Sequence, residues 1–256
     1  MRHSRVAEIL ASVADGGGNG GGNGNGDGNG SSLAVRLCRQ CVAAVPVSGA
    51  GLALMSADGP TGVVLAATDR AARHLEELQF TMGEGPCVDA SREGRPVLQP
   101  DLLVAAAHRW PEFTASALTA GVRAIFAFPL QVGAIRVGVL DLYRHTPGHL
   151  TDAQFADTLA FADAATLLLL QLQGGRDGAG QIHPQLNGVL ESRAVVHQAT
   201  GMISVQLGVG LGDAMLRLRA HAYAQARPVY NVAGDVVGRR LRFDDSETGH
   251  STANPQ

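Results

Sequence analysis

The chain has 256 residues, 45% hydrophobic and 17% charged, with a formal net charge of −3. That length suits one and a half to two domains and buries a core without cross-links. Three cysteines, Cys38, Cys41 and Cys87, are too few and too odd in number for a secreted disulfide framework.

Lysine is absent, so all 20 basic residues are arginines, each able to fork two hydrogen bonds onto a phosphate or carboxylate. Their distribution is uneven. Ser31–Gly175 holds 10 arginines against 13 acids, whereas Leu186–Phe243 holds 7 against 3. A basic module behind an acidic body suits a polyanion-binding output domain. The amphipathic opening Met1–Asp15 does not resemble a secretion signal, and the longest apolar run, Ala164–Leu170, is too short to span a membrane. The expectation is a cytoplasmic protein with no membrane partner.

In chain order, residues 1–32 read as an N-terminal helix followed by a Gly/Asn-rich flexible segment, because Gly16–Gly30 has no apolar side chains to bury. Leu33–Val45 has helical apolar spacing and stops at Pro46. Ala50–Met55 and Val63–Ala67 flank a D-G-P-T-G turn and predict a hairpin. Asp69–Phe80 predicts a helix with Leu75 and Leu78 on its apolar side and Arg73, Glu76 and Glu77 on another. Pro96–Leu98 is a short strand candidate and Arg109–Ala120 a helix. Val122–Leu130 and Ile135–Tyr143 read as strands around a turn at Val132–Ala134. Thr151–Gln173 is a long helix with Thr151 as N-cap. Strands bracketed by helices predict an α+β domain over 33–173, an antiparallel sheet with flanking helices.

A glycine-rich linker over 174–184 separates this from a purely helical module over 185–243. Leu186–Leu207 is its first helix, and Asp213–Arg227 follows a glycine-rich break. Pro228 opens a third helix, where its missing N–H is harmless. This is a C-terminal three-helix bundle. Residues 244–256 read as a disordered acidic tail.

Motifs of enzyme chemistry do not emerge. G-E-G-P-C lacks the lysine and hydroxyl of a phosphate loop. Asp141, Asp101 and Asp89 form no evident acid/base pair, and no nucleophile elbow or zinc-helix motif occurs. Cys38-x-x-Cys41 shares a helix face, but a structural zinc needs four ligands and no second pair exists. Core or semi-exposed structural cysteines are the expectation, with ligand-gated or thiol-based sensing through Cys87 as the alternative. No enzyme, metal or cofactor is expected.

Five pieces, F-T-M-G-E-G-P-C-V-D-A (Phe80–Ala90), P-V-L-Q-P-D-L (Pro96–Leu102), W-P-E-F (Trp110–Phe113), G-V-R-A-I-F-A-F-P-L (Gly121–Leu130) and G-V-L-D-L-Y (Gly138–Tyr143), resemble the GAF domain in its actinobacterial form. H-Q-A-T-G-M-I-S-V-Q-L-G (His197–Gly208), A-M-L-R-L-R-A-H-A (Ala214–Ala222) and N-V-A-G-D-V-V (Asn231–Val237) resemble an ANTAR domain. The resemblance implies a GAF sensor that takes an unknown small-molecule ligand, followed by an ANTAR output that binds structured stem-loop RNA. It implies transcription antitermination by a homodimer. A DNA-binding regulator, or a ligand- or partner-binding protein with a degenerate ANTAR domain, is the alternative. The apolar stretch Leu167–Leu172 is the expected dimer seam.

RNA-contact candidates are Arg193, His197, Thr200, Gly201, Arg217, Arg219, His221, Tyr223 and Arg227. Arginines grip phosphates, and tyrosines stack on unpaired bases. Thr200 stands where many ANTAR domains carry lysine. Gly201 inside a helix costs about 1 kcal/mol relative to alanine. Either tight packing within the bundle or close approach of RNA or a partner helix accounts for it. Arg239, Arg240 and Arg242 are further phosphate-contact candidates, whereas Tyr230 is expected to be a half-buried packing residue rather than a base-stacking one.

Overall fold

The computed structural model describes residues 2–15, 32–56, 59–104, 106–174 and 184–244. The Gly/Asn-rich segment, most of the expected linker and the acidic tail lie outside the described residues. The chain divides into two compact units, residues 1–190 and 191–256.

The first unit is built on a five-stranded sheet in the order β2-β1-β5-β4-β3. Its strands are β1 (Gly49–Ser56), β2 (Gly59–Ala67), β3 (Val97–Gln99), β4 (Ala124–Val132) and β5 (Ile135–Arg144), and all neighbours pair antiparallel. Side chains alternate faces along a strand. On one face Leu52 and Leu54 of β1, Phe126 and Phe128 of β4, and Leu140 and Leu142 of β5 form a core. Helices α1 (Arg2–Asp15), α2 (Leu33–Ala44) and α7 (Asp152–Gly174) cover it. Ser32 caps α2 by accepting from the Val35 N–H.

The other face presents Ala53, Ile125, Ala127, Val139 and Tyr143. Against it pack α3 (Arg70–Met82), α4 (Pro86–Glu93), α5 (Ala106–Arg109) and α6 (Pro111–Thr119). Asp69 caps α3, and Pro86 and Pro111 each open a helix, where a missing N–H costs nothing. The expected helix over Arg109–Ala120 is thus two pieces, with Pro111 starting the second. Helix α4 is absent from the pattern reading, because its flanking glycines look like loop. Gly85 at φ 127° and Gly94 at φ 67° are its two ends.

The leucine run of α7 is mostly consumed within this unit. Leu168, Leu169 and Leu172 are buried in the first core, and among the described residues of this helix Leu167 is the exposed large hydrophobic, 44% accessible. The seam expected over Leu167–Leu172 therefore narrows, because the sheet already occupies the leucines that face it. By length and mean hydropathy Asp152–Leu172 matches a membrane span, and 56% of that stretch is buried in the protein.

The second unit holds the described C-terminal part of α8 (Pro184–Leu207) with α9 (Leu211–Ala224) and α10 (Val229–Val237). Ala199, Ile203, Leu207, Ala214, Leu218, Ala222, Val232 and Val236 are its core. Arg227 and Arg240 both pair with Asp235, at 2.6 and 2.8 Å, and tie the α9–α10 junction to the end of α10.

Phe128 is fully buried and stacks against Phe155 of α7 at 5.6 Å. Phe128→Ala should cost the first unit about 3–5 kcal/mol, read by Trp110 fluorescence in urea unfolding. A loss under about 1 kcal/mol would contradict this packing.

Candidate functional site

Two places hold side chains that the core alone does not require. The first is the exposed side of the C-terminal helices. In α8 the core residues Ala199, Ile203 and Leu207 define the inward direction. His197, Gly201 and Val205 follow one another at four-residue steps and so share a stripe. His197 is exposed, Val205 is 85% accessible, and a Cβ added to Gly201 meets nothing within 4 Å. Packing inside the bundle therefore does not account for Gly201.

Thr200 is buried, its hydroxyl donating to the Val196 carbonyl at 2.8 Å and lying 3.9 Å from the Met215 sulfur. It faces the bundle rather than the stripe. The side chain of Arg193, on α8, lies outside the described residues.

In α9 the buried Ala214, Leu218 and Ala222 point inward. Arg217 and Arg219 are two residues apart, about 200° around the helix, so they flank the core on opposite sides. His221 continues the Arg217 side and Tyr223 the Arg219 side. The His221 ring packs on Phe243 at 5.1 Å, and Tyr223 is 49% accessible. Arg227 is engaged by Asp235 and by the Gln225 side chain. Arg239 is exposed at φ 57°, Arg242 pairs with Asp244 at 3.3 Å, and Tyr230 is 47% accessible.

The second place is in the sheet-and-helix unit, and pattern reading missed it. Asp141 of β5 alternates with Val139 and Tyr143, so it faces α3 and α4. Its cross-strand partners are Gly51 on β1 and Ala127 on β4, both small. Glu76 drops into that gap: a Cβ at Gly51 would overlap its carboxylate. Cys87 arrives from α4, whose first turn is held by the Gln79 side chain accepting from the Cys87 N–H at 2.7 Å. One ligand-type atom from each of Glu76, Cys87 and Asp141 lies within 4.8 Å of the other two. The three residues are 1%, 0% and 5% accessible.

Glu76 was expected on the polar side of its helix. Instead Ala72, Leu75, Glu76, Gln79 and Phe80 are buried together, the spacing of a single helix face. The apolar members of that set were the signal, and they carry Glu76 inward with them. Asp141 likewise has its partner in Glu76 rather than in Asp89 or Asp101. Asp89 accepts from the Trp110 indole at 2.9 Å and pairs with Arg109, and Asp101 pairs with Arg123. Glu84 accepts from the Phe113 N–H at the start of α6. Those acids hold the helices around Cys87 in place.

The electrostatics follow from burial without a cation. Among the described residues no arginine or histidine pairs with Glu76 or Asp141. Burial pushes Asp141 up to about 7, against hydrogen bonds from its neighbours. Burial and then the adjacent Asp141 push Glu76 well above the usual carboxylate range. Burial and the two carboxylates hold Cys87 as a thiol. Cys38 and Cys41 are free, buried in the other core and raised by burial, Cys38 to about 12. They belong to packing, as expected.

The GAF domain family matches residues 31–168, and the ANTAR domain family matches residues 184–237. No curated protein matches the chain. Among solved structures, a domain of a putative two-component sensor histidine kinase from Sinorhizobium meliloti 1021 is 16% identical, with 58% of this chain and 96% of that one covered at a TM-score of 0.46. The GAF domain of an Acinetobacter phosphoenolpyruvate-protein phosphotransferase is 9% identical, covering 69% and 97% at 0.47. Free methionine-R-sulfoxide reductase from Neisseria meningitidis, in complex with its substrate, is 16% identical, covering 70% and 92% at 0.44.

Two outcomes follow from these sites. Gly201→Ala should stabilise α8 by about 1 kcal/mol, since the added methyl meets open space. Slower hydrogen exchange across α8 checks it, and faster exchange contradicts it. In chelator-treated protein the Glu76–Asp141 pair should make stability pH-dependent. A carboxyl with a raised folded-state pKa stabilises fully below its unfolded value of about 4 and loses that stability as pH rises through its folded value. The melting temperature should therefore fall as pH rises from about 4 to about 7, and less steeply in Asp141→Asn. Parallel pH profiles for the two proteins would contradict the pairing.

Proposed function

For a chain that belongs to the GAF family and carries an ANTAR domain behind it, we propose a signal-controlled RNA-binding regulator that promotes transcription antitermination. The ANTAR helices hold a structured stem-loop in nascent RNA and favour read-through. The GAF domain takes a small ligand and sets whether they do so. The observation that carries this reading is the ANTAR match over α8–α10.

The surface of those helices suits the task. The His197–Gly201–Val205 stripe lets a backbone approach closely at Gly201, and its neighbouring helix offers Arg217 with His221 on one flank and Arg219 with Tyr223 on the other. Arginine on phosphate gives affinity, and tyrosine on an unpaired loop base gives selectivity. Thr200, turned into the bundle, acts through the position of α8 rather than by contact. Arg227 acts by bracing the α9–α10 junction through Asp235. Arg193 sits on α8 upstream of His197 and adds a further cation. The regulator works in the cytoplasm as a homodimer, with exposed Leu167 and Val132 among the apolar residues available for self-association.

Titration with stem-loop RNA and with duplex DNA of matched length and salt tests the reading. The stem-loop should bind more tightly, and changing Arg217 and Arg219 together to alanine should weaken it by about tenfold or more while lowering the salt dependence. Equal or tighter binding of the duplex overturns the RNA assignment. A monomer by light scattering at high micromolar concentration overturns the dimer.

A further inference from the structure

A buried polar cluster with no compensating charge is expensive, and this one is held open by several separate features. Both carboxylate oxygens of Asp141 and one of Glu76 are buried with no donor in good hydrogen-bond geometry, their nearest polar neighbours being each other's carboxyl and the Cys87 thiol. The Gln79 side-chain nitrogen, on the same helix face, is also buried and unpaired. Burying such groups without well-placed partners is destabilising. Beside the carboxylates, and not lined by Cys87, is a void of about 10 Å³ bounded by Gly51, Glu76 and Asp141 with Ala72, Leu75 and Tyr143. That is roughly the space of one atom-sized occupant. Gly51 and Ala127 keep the sheet surface low beneath it.

We propose that Glu76, Cys87 and Asp141 form a binding site for a divalent transition-metal ion, of the zinc(II) or iron(II) type, inside the GAF domain. Three donor atoms mutually within 4.8 Å can close onto one ion by small side-chain movements. The donor set selects the class: a thiolate disfavours magnesium and calcium, and two carboxylates disfavour the softest monovalent ions. A divalent cation supplies the missing positive charge and satisfies the orphaned oxygens together. Binding breaks the Cys87 S–H bond and the carboxyl O–H bonds that burial maintains at Glu76 and Asp141, metal–sulfur and metal–oxygen bonds form, and the displaced protons leave to solvent. Three protein ligands leave one coordination position for water or a small exogenous ligand. Metal uptake here is independent of whether α8–α10 hold RNA.

The test uses the untagged full chain, unfolded in chelator and refolded with cobalt(II) or zinc(II). One equivalent per chain should bind, and cobalt should give a thiolate-to-metal charge-transfer band in the near ultraviolet. The band should vanish in Cys87→Ser and persist in the double variant Cys38→Ser, Cys41→Ser. Glu76→Gln and Asp141→Asn should each weaken uptake by about tenfold or more while circular dichroism reports a folded chain. Zinc should raise the melting temperature of the wild-type chain. Wild-type protein that takes up no stoichiometric metal overturns the proposal, whatever the variants do. A band that survives in Cys87→Ser, or disappears in the Cys38/Cys41 variant instead, also overturns it.

Discussion

A sheet covered on both faces leaves no wet side for a charge, and Asp141 stands on such a sheet. The five strands send Leu52, Phe126 and Leu142 toward α1, α2 and α7, and Ile125, Val139 and Tyr143 toward α3 to α6. Antiparallel sheets often keep one face in water. Here neither face does, so the alternation that buries Val139 and Tyr143 also buries the aspartate between them. Everything on that side is arranged around it. Small residues at Gly51 and Ala127 leave room, Glu76 and Cys87 fill it, and the Gln79 carboxamide fixes the first turn of α4.

The surrounding motif residues gain a physical meaning from this arrangement. Glu84 anchors α6, Asp89 binds the Trp110 indole and Arg109, and Gly85 makes the turn that lets Pro86 start α4. The G-E-G-P-C segment is thus a device for delivering one thiol to a buried acidic site.

Much of this was legible in the residues. The hairpin, the two long strands, the long helix α7 and the three C-terminal helices follow from periodicity and punctuation, and the family resemblance matches. What was not legible is tertiary. Glu76 is charged, so a two-class reading puts it on the solvent side, although Ala72, Leu75, Gln79 and Phe80 mark its face as inward. Asp141 looks isolated because its partner lies 65 positions away in the sequence. Helix α4 is short and glycine-bounded, which hides it from any periodic test. On the output side, the lysine that many ANTAR domains carry at the position of Thr200 implied an RNA-facing side chain, and the Thr200 hydroxyl instead serves the helix backbone. Gly201 behaves oppositely: a residue that packing could have explained faces open space.

The central claim is that the α3–α4 side of the sheet is a site built around Glu76, Cys87 and Asp141, rather than a core with an accidental acid in it. X-ray absorption at the metal edge of the zinc-loaded full chain tests it most directly. The account predicts one sulfur neighbour among oxygen ligands, with the sulfur contribution lost on Cys87→Ser. A shell of nitrogen and oxygen alone in the wild-type chain would contradict it.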